Sequence, residues 1–345
     1  MKTLRTLALL GMVFVFAVLC TQAAFAQQPG QGVPAGSGMG AQSGGGGPAT
    51  WPTGTPPQPP PMDVSAYTRK WLDLAFADKS QAEKLDIYLP AEGTGPFPTI
   101  VYIHGGGWGV SDKRSSEIEP VLKNGLKHGY AVVSVNYRFS KEALFPAQIQ
   151  DVKAAIRWLR ANGAKYQLST QKIAVWGSSS GGQLAALMGT SNGVSQFDDT
   201  SLGNANQSSR VQAALDVSGP INFLTMDDEL IAEGFSNFAQ HNDAAGPESK
   251  LVGGAVQTVP YKVRAANAEN YISKESAPEL IEYGLVDNSV AYMQATSLAE
   301  KLIAVIGKDK VGIVLFPEGG HGGGDAFTGD ENMKKIFAFF DRYVR

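Results

Sequence analysis

The sequence predicts an α/β fold with a mainly parallel sheet that helices cover on both faces. Six short segments have the length and apolar composition of buried strands: residues 99–103, 131–135, 172–176, 213–217, 279–284 and 311–316. Segments with helical periodicity separate them, and strands that are apolar along their whole length are typical of parallel sheets. Residues 70–77 and 83–89 precede this series and predict an opening antiparallel pair.

Two of the predicted helices carry a clear apolar stripe. The helix expected over residues 147–162 and the closing helix expected over residues 330–344 have apolar side chains three and four positions apart: Ile149, Val152, Ile156 and Leu159 in the first, and Ile336, Phe337, Phe340 and Tyr343 in the second. This spacing places side chains on one face of a helix. We therefore expect both stripes to pack against the sheet as core.

The stretch from about residue 220 to 275 is polar, glycine-rich and only weakly periodic. It follows the strand predicted at 213–217, and an insertion of this kind in an α/β fold tends to form a cap or lid near the functional site. Its aromatic side chains allow two interpretations, either as the wall of a substrate pocket or as packing between cap and domain: Phe223, Phe235, Phe238 and Tyr261.

Residues 1–26 have the organisation of a secretory signal peptide. A basic start precedes an apolar stretch at residues 7–19, and small residues lie at the expected cleavage point after Ala26. A lipoprotein would use Cys20, but that signal needs a small residue where Leu19 stands. The apolar run is also short for a membrane-spanning anchor. We therefore predict a secreted or periplasmic protein with no stable membrane span after cleavage.

Residues 27–62 are rich in Gly, Pro, Ser and Gln and contain few apolar side chains. A segment with this composition cannot bury a core, which predicts a disordered linker. Residues 63–345 then remain for one large domain, a length that a single α/β domain accommodates.

The composition excludes several classes of function. The net charge is −3 and no basic patch is visible, so nucleic acid is not an expected partner. The single cysteine, Cys20, lies in the predicted signal peptide, so we expect neither a disulfide nor a thiolate metal site in the remaining chain. The sequence also lacks a metal-ligand cluster, a Walker loop and a dinucleotide fingerprint. We therefore expect no metal and no cofactor, while the oligomeric state stays open.

The most informative motif is Gly-Ser-Ser-Ser-Gly-Gly at residues 177–182. It lies between a predicted strand and a predicted helix, which is the context of a nucleophile elbow with Ser179 at its tip. The flanking glycines are needed because a Cβ atom in so sharp a turn would collide with neighbouring backbone. A flexible serine-rich loop is the alternative, and the other motifs argue against it.

A second glycine motif, His-Gly-Gly-Gly-Trp at residues 104–108, follows the strand predicted at 99–103. Hydrolysis through a tetrahedral intermediate needs N–H donors aimed at the developing oxyanion, and losing one donor costs roughly 2.7–4 kcal/mol. We assign this role to the amides of Gly106, Gly107 and Ser180, the last being the residue after the nucleophile. An ordinary glycine-rich turn is the alternative. Trp108 is expected either in the wall of the substrate pocket or in the core.

The general base is identified by elimination among four histidines. His104 belongs to the oxyanion loop and is expected to hold it by hydrogen bonding, while His128 is expected at a helix C-terminus. His241 lies in a polar stretch that predicts a surface or cap position. His321 follows the last predicted strand between glycine pairs, and an imidazole with a pKa near 6.5 suits proton transfer at neutral pH.

The acid that orients His321 is expected between the nucleophile and the base. Asp287 fits best, because it follows the end of a predicted strand, where it would hold the tautomer of His321 and stabilise its charged form. The alternative is that Asp287 caps the helix predicted over residues 289–306. Glu318 and Asp325 are weaker candidates because neither follows a strand in a suitable way.

These motifs together resemble the α/β-hydrolase superfamily. Within it the chain is similar to the hormone-sensitive-lipase-like carboxylesterases, and most similar to the bifunctional feruloyl and acetyl-xylan esterase (BD-FAE) type. The segments that carry the likeness are residues 104–108, Asp112-Lys113, residues 136–139 and the helix region 145–162. The likeness covers roughly residues 67–345, and it implies an eight-stranded α/β-hydrolase fold with a small cap.

Three positions depart from the pattern of these relatives. Tyr283 stands where relatives usually have histidine, and Asn288 stands where the acid is often followed by proline. Ser180 stands where alanine often follows the nucleophile, a change that keeps the backbone donor.

The resemblance implies a serine carboxylic ester hydrolase that acts through an acyl-enzyme on small acyl esters. By family analogy the substrates are acetyl or feruloyl esters of plant polysaccharide. Two alternatives remain. A prolyl-oligopeptidase-like exopeptidase shares the elbow, although this chain has no propeller domain and carries the His-Gly-Gly-Gly-Trp loop. A non-catalytic binding protein of the same fold would usually lack one of the three catalytic residues.

Overall fold

A computed structural model of the protein describes residues 61–345. The predicted signal peptide and the predicted linker up to residue 60 lie outside the described residues. Within the described part the structure contains eight strands: β1 Lys70–Ala75, β2 Lys84–Tyr88, β3 Phe97–Ile103, β4 Ala131–Val135, β5 Leu168–Ser178, β6 Ala213–Val217, β7 Glu279–Gly284 and β8 Val311–Phe316. All eight predicted strands are present, and β5 is longer than expected at both ends.

The eight strands form one sheet in the order β1-β2-β4-β3-β5-β6-β7-β8. β1 pairs antiparallel with β2, and β2 pairs antiparallel with β4. Every other neighbouring pair is parallel. The prediction of a mainly parallel sheet with an antiparallel opening pair is confirmed. The carboxyl ends of the parallel strands lie along one edge of such a sheet, which is where ligand sites form.

Helices lie on both faces of the sheet, as predicted. Across residues 61–345 the α-helices are α1 Glu119–Lys127, α2 Ala147–Asn162, α3 Ser180–Thr190, α4 Met226–Ala232, α5 Pro247–Val252, α6 Pro260–Ala266, α7 Tyr292–Ile306, α8 Asp325–Thr328 and α9 Asp330–Val344. One core cluster joins the sheet to α2, α3 and α7, and a second joins it to α1 and α9. The apolar stripes of α2 and α9 lie in these clusters, except that Tyr343 is only partly buried.

The segment predicted as a cap contains α4, α5 and α6, joined by single 3₁₀ turns. It connects β6 to β7 through a path that leaves the sheet at its carboxyl edge. None of the helices in residues 61–345 combines the length and apolarity needed to cross a bilayer.

Candidate active site

Ser179 lies at the tip of a strained turn between β5 and α3. Its backbone has φ 55° and ψ −123°, a conformation that non-glycine residues rarely adopt and that marks a nucleophile elbow. A Cβ atom on Gly177 would lie 1.9 Å from the Gly181 carbonyl oxygen, and one on Gly181 would lie 2.1 Å from the Ile103 carbonyl oxygen. The two glycines are therefore required by close backbone approach, and the turn leaves Ser179 partly exposed.

The structure brings Ser179, His321 and Asp287 together from three separate loops. His321 Nε2 lies 2.9 Å from Ser179 Oγ, and His321 Nδ1 lies 2.8 Å from Asp287 Oδ2. The Asp287 side chain is fully buried, whereas 31% of the His321 side chain is exposed. This is the geometry of a nucleophile, a base and an orienting acid, with the acid shielded from water and the base open to a substrate.

Asp287 also organises its own turn. Its second oxygen, Oδ1, accepts the backbone N–H groups of Ser289 at 2.8 Å and Val290 at 3.0 Å. These bonds replace the first helical turn that the sequence predicts at residue 289, and α7 begins at Tyr292 instead. Asp287 can therefore contact His321 through Oδ2 and cap the following turn through Oδ1 at the same time, so the two interpretations are compatible.

The loop at residues 104–108, which the sequence predicts as the oxyanion loop, carries two glycines in conformations that other residues avoid. Gly106 has φ 105° and Gly107 has φ 57°. Within the described part of the chain, no hydrogen bond is recorded from the N–H groups of Gly106, Gly107 or Ser180 to another protein atom. Ser180 is also the first residue of α3, where an N–H group has no partner in its own helix. These three amides are therefore available to a developing negative charge.

Glu117 supports the oxyanion loop from below, and sequence reasoning missed it. Its Oε1 atom accepts the N–H group of Gly105 at 3.1 Å, the hydroxyl of Ser111 at 3.1 Å and the hydroxyl of Ser115 at 3.0 Å. Burial, together with the nearby Glu117 carboxylate, raises the pKa of the Tyr102 hydroxyl. No sequence motif marked Glu117, because its hydrogen-bond partners come from the loop after β3 and from its own helix start.

His104 lies where the sequence predicted, in the support of the oxyanion loop. Its ring is fully buried, stacks on Tyr137 with 4.6 Å between ring centroids, and bonds through Nδ1 to the Gly105 carbonyl oxygen at 2.7 Å. Burial lowers the pKa of His104, partly opposed by the nearby Glu117 carboxylate. A neutral His104 with Nδ1 protonated satisfies this contact.

The Asp112-Lys113 pair ties the same loop to the sheet. Asp112 Oδ2 accepts from Asn136 Nδ2 at 2.7 Å, and the Lys113 N–H group donates to Asn136 Oδ1 at 2.6 Å. The buried Lys113 ammonium lies 2.7 Å from Asp73 and 3.5 Å from Asp86 of the opening hairpin. Three segments far apart in sequence thus fix the loop that follows the glycines.

Trp108 belongs to the core and not to a pocket wall. Only 1% of its surface is exposed, its indole N–H donates to Gln183 at 3.2 Å, and its ring packs 5.4 Å from that of Phe223. The prediction of Trp108 as a substrate-binding residue is therefore not supported by its position, since a buried indole offers no surface to a ligand. Phe223 likewise packs the cap, whereas Phe238 and Tyr261 are exposed.

The remaining two histidines, His128 and His241, make contacts within the fold. His128 caps the C-terminus of α1, with Nδ1 bonded to the Asn124 carbonyl oxygen at 2.8 Å. His241 lies in the cap segment, but it is buried and not on the surface. Its Nδ1 atom lies 3.0 Å from the Glu248 carboxylate. Burial by itself would lower the pKa of His241, but the nearby carboxylates of Glu248 and Asp227 outweigh it, so the pKa is raised.

A buried acid lies under the nucleophile elbow. Asp216 Oδ1 accepts the Gly219 N–H group at 2.9 Å, and Asp216 Oδ2 accepts the Tyr283 hydroxyl at 3.0 Å. Tyr283 is one of the three positions at which the sequence departs from its relatives, and its hydroxyl here donates a hydrogen bond to Asp216. Burial nevertheless raises the pKa of Asp216 to about 7.

Comparison with known proteins agrees with this architecture. Esterase LipC of Mycobacterium tuberculosis is 28% identical over 276 residues, which cover 79% of this chain and 64% of LipC. A truncated form of a carbohydrate esterase from gut microbiota is 31% identical with a TM-score of 0.72, over 82% of this chain and 99% of that one. A bifunctional GH43-CE protein of Bacteroides eggerthii is 34% identical with a TM-score of 0.71, over 81% of this chain and 39% of that one.

The chain has the α/β-hydrolase fold, as the sequence predicted, and the similar proteins named above are esterases or carry an esterase domain. The chain belongs to the BD-FAE family, whose model matches residues 85–302, more than half of the sequence. It spans between about half and two thirds of the length of the curated relatives LipC, LipM and LipQ, at 64%, 56% and 53% of each.

Proposed function

We propose that the protein is a serine carboxylic ester hydrolase that works through an acyl-enzyme. The observation that carries this proposal is the Asp287–His321–Ser179 chain of contacts at 2.8 and 2.9 Å, next to the free loop amides. Ser179 Oγ attacks the ester carbonyl carbon and its proton passes to His321 Nε2. The negative charge on the former carbonyl oxygen is held by the amides of Gly106, Gly107 and Ser180.

The tetrahedral intermediate then collapses. His321 returns the proton to the leaving alcohol oxygen as the bond between that oxygen and the acyl carbon breaks, so that the acyl group stays on Ser179. Water next attacks the acyl carbon and gives its proton to His321, and this proton passes to Ser179 Oγ as the carboxylic acid leaves. Throughout the cycle Asp287 holds His321 in the required tautomer and stabilises its charged form without itself being protonated.

The substrates we propose are small acyl esters, with acetyl or feruloyl esters of plant polysaccharide as the specific class. One similar solved structure is a carbohydrate esterase from gut microbiota and another is a bifunctional GH43-CE protein, which supports this choice. A secreted or periplasmic location accords with such substrates and with the predicted signal peptide.

The test is hydrolysis of p-nitrophenyl acetate by the chain expressed from residue 27, beside the Ser179→Ala variant. We expect the parent to be active and the variant to lose about 10⁴-fold or more in kcat, as other serine hydrolases do when the nucleophile is removed. Equal activity in both proteins would contradict the assignment of Ser179. Unfolding curves of the two proteins check that the variant is folded.

The same preparation distinguishes the two alternatives. An exopeptidase would cleave a dipeptide nitroanilide faster than the acetate ester. A non-catalytic binding protein would hydrolyse neither substrate and would not be labelled on Ser179 by a fluorophosphonate probe. We expect ester hydrolysis to exceed peptide cleavage and expect Ser179 to be labelled.

A further inference from the structure

Trp108, at the end of the loop formed by residues 104–108, has a backbone conformation that residues with side chains rarely adopt. Its φ is 54°, in the left-handed region, although an indole is among the bulkiest side chains. Trp108 directly follows Gly106 and Gly107, whose amides are proposed oxyanion donors. Neighbouring groups must therefore hold Trp108 in place, because relaxation of this strained residue would reorient the loop that carries those amides.

Two hydrogen bonds and one ring contact hold Trp108. Its carbonyl oxygen accepts the Ser140 N–H group at 2.8 Å, and its indole N–H group donates to Gln183 Oε1 at 3.2 Å. The ring centroids of Trp108 and Phe223 are 5.4 Å apart. Of these three partners, Gln183 is the one that belongs to α3, the helix that starts directly after the proposed nucleophile.

The side-chain amide of Gln183 is held in one orientation. An indole N–H group can only donate, so the Gln183 atom that faces Trp108 is the oxygen. The Nε2 atom then donates to the Ala266 carbonyl oxygen, which can only accept, at 2.8 Å. The side chain is 0% exposed, so water does not compete for either bond. Gln183 therefore joins α3 both to the loop and to the last residue of α6 in the cap.

Packing alone does not account for a glutamine at this position. A methionine has a similar shape and would fill the same space without bringing strongly polar atoms into the core. Burying an amide is favourable only when its oxygen and its nitrogen both find partners, as they do in Gln183. The contacts to the loop and to the cap are therefore what distinguishes Gln183 from an apolar core residue.

The first turn of α3 is fixed relative to the sheet. The N–H group of Gln183 donates to the Ser179 carbonyl oxygen at 3.0 Å, so both residues belong to this turn. A Cβ atom on Gly182 would lie 2.8 Å from the Val217 carbonyl oxygen at the end of β6, and one on Gly219 would lie 2.5 Å from the Gln183 nitrogen. Contacts this close leave no space for the helix to slide. Gln183 thus reaches the loop from a helix whose position relative to Ser179 is set.

The proposed oxyanion donors come from two separate segments of the chain. Gly106 and Gly107 lie directly before Trp108, whereas Ser180 is the first residue of α3. Gln183 lies three residues after Ser180 on the same helix and contacts Trp108 at the end of the loop. Its side chain therefore links the two segments that supply the donors.

We propose that Gln183 is a positioning residue for ester hydrolysis. Through the Trp108 indole it holds the Gly106 and Gly107 amides in a fixed relation to the Ser180 amide on its own helix, so that one oxyanion meets all three. The inference rests on the proposed function and adds to it a residue that no sequence motif marked. Gln183 is buried and acts through Trp108, so it is not itself a catalytic residue.

The first experiment compares Gln183→Met with the parent in the hydrolysis of p-nitrophenyl acetate. We expect kcat to fall about 10–100-fold, since a small displacement of catalytic groups costs up to about 10²-fold in rate. KM should change by less than about twofold, because the oxyanion forms only after the substrate has bound. The affinity for a boronic acid, whose tetrahedral adduct uses the same donors, should fall by the same factor as kcat/KM.

The matched control is Asn192→Leu. Asn192 is another buried amide with both polar groups in use, because Nδ2 donates to the Val211 carbonyl oxygen at 2.9 Å and Oδ1 accepts the Val211 N–H group at 3.0 Å. It follows the far end of α3. In urea unfolding this variant should lose stability as Gln183→Met does, but it should keep the kcat and the boronate affinity of the parent. An unchanged kcat in folded Gln183→Met, or an equal loss of kcat in Asn192→Leu, would overturn the proposal.

A double-mutant cycle tests whether Gln183 acts through Trp108. Trp108→Phe keeps an aromatic ring but removes the indole N–H group, and it provides a second variant if Gln183→Met does not fold. The two single variants break the same hydrogen bond, so the double variant should lose little more kcat than the more damaging single variant. Losses that multiply would mean that the two residues act independently, which would overturn the proposal.

The contact can also be measured without activity. The indole N–H signal of Trp108 in an NMR spectrum is the one missing from Trp108→Phe, and it should move upfield in Gln183→Met because its hydrogen bond is lost. A signal that does not move would overturn the proposal. A parent that hydrolyses no ester, with the indole signal shifted in Gln183→Met, would contradict the proposed function and with it the positioning role, while confirming the contact.

Discussion

The Glu117 carboxylate accepts the backbone N–H group of Gly105 at 3.1 Å, directly beneath the loop that carries two proposed oxyanion donors. Gly105 also packs closely against Ser179, since a Cβ atom on Gly105 would lie 3.2 Å from Ser179 Cβ and 3.3 Å from Glu117 Oε2. Glu117, in the 3₁₀ turn before α1, therefore helps to fix the position of the proposed oxyanion loop relative to Ser179.

Glu117→Gln should lower kcat about tenfold or more while leaving KM nearly unchanged. The amide keeps the size of the side chain but removes the negative charge with which Oε1 accepts the donors of Gly105, Ser111 and Ser115, so these hydrogen bonds weaken and the loop loses part of its support. Stabilisation of the oxyanion is needed mainly in the transition state, which is why kcat is affected. The measurement is steady-state kinetics together with inhibition by a boronic acid, whose tetrahedral adduct uses the same donors.

A parallel loss in boronate affinity and in kcat/KM is expected for Glu117→Gln. Glu119→Gln, an exposed acid at the start of α1, is the control and should behave as the parent. If Glu117→Gln lowers only the free energy of unfolding and not the boronate affinity, the residue has a structural role alone.

Asp287→Asn should reduce kcat by about 10³–10⁴-fold with little loss of stability. The amide oxygen can still accept from Ser289 and Val290 and so preserve the turn, but an NH₂ group then faces His321 and favours the wrong tautomer. Steady-state kinetics and urea unfolding of the same protein separate the two effects. Asp325→Asn, the acid that the sequence left as a weaker candidate, should change kcat by no more than about twofold. The reverse ranking would transfer the role to Asp325.

Gly106→Ala should lower kcat by roughly 10²–10³-fold, the loss expected when one oxyanion donor is displaced. Its φ of 105° disfavours a side chain, and a Cβ atom would lie only 2.3 Å from the Val110 carbonyl oxygen, so the loop must shift. Gly109→Ala is a control in the same loop, because the nearest atom to its Cβ would be at an ordinary 3.7 Å. Comparable losses in both variants would indicate a loop that tolerates no substitution, and not a specific role for Gly106.

Asp216 should make the protein less stable as the pH rises from about 4 to 7. Its carboxyl has an ordinary pKa of 3.8 and a folded-state pKa of about 7 because of burial. Across this window the folded state holds a proton that the unfolded state has released, so the free energy of unfolding falls as pH increases, by about 1.36 kcal/mol for each unit of pKa difference. Urea unfolding at several pH values measures the slope.

Asp216→Asn should flatten this pH dependence. The slope is not expected to vanish, because burial also raises the pKa of Glu279 well above its ordinary value. Asp330→Asn, an exposed acid at the start of α9, should leave the slope unchanged. An identical slope in Asp216→Asn and the parent would mean that Asp216 is ionised in the folded protein.

The elements were largely predictable because their signals are local. Helices α2 and α9 have the predicted bounds, and the strands lie where apolar runs predicted them. The start of α7 was wrong by three residues, because the Asp287 side chain captures the Ser289 and Val290 amides before the helix begins. The sequence does not decide between the core and a pocket wall for Trp108, because an indole ring after a glycine loop does not indicate which atoms will cover it.

The sequence by itself determined the order of strands and helices, the turn at Ser179 and the short list of acids and bases, because glycine spacing and apolar periodicity act over a few residues. Only the tertiary structure decided which acid meets His321 and that Glu117 holds the loop at Gly105. These contacts join segments that are far apart along the chain. The distances between their side chains depend on the twist of the sheet and on how the loops pack at its carboxyl edge. No local pattern encodes that geometry, so the partners appear only when the sheet is assembled.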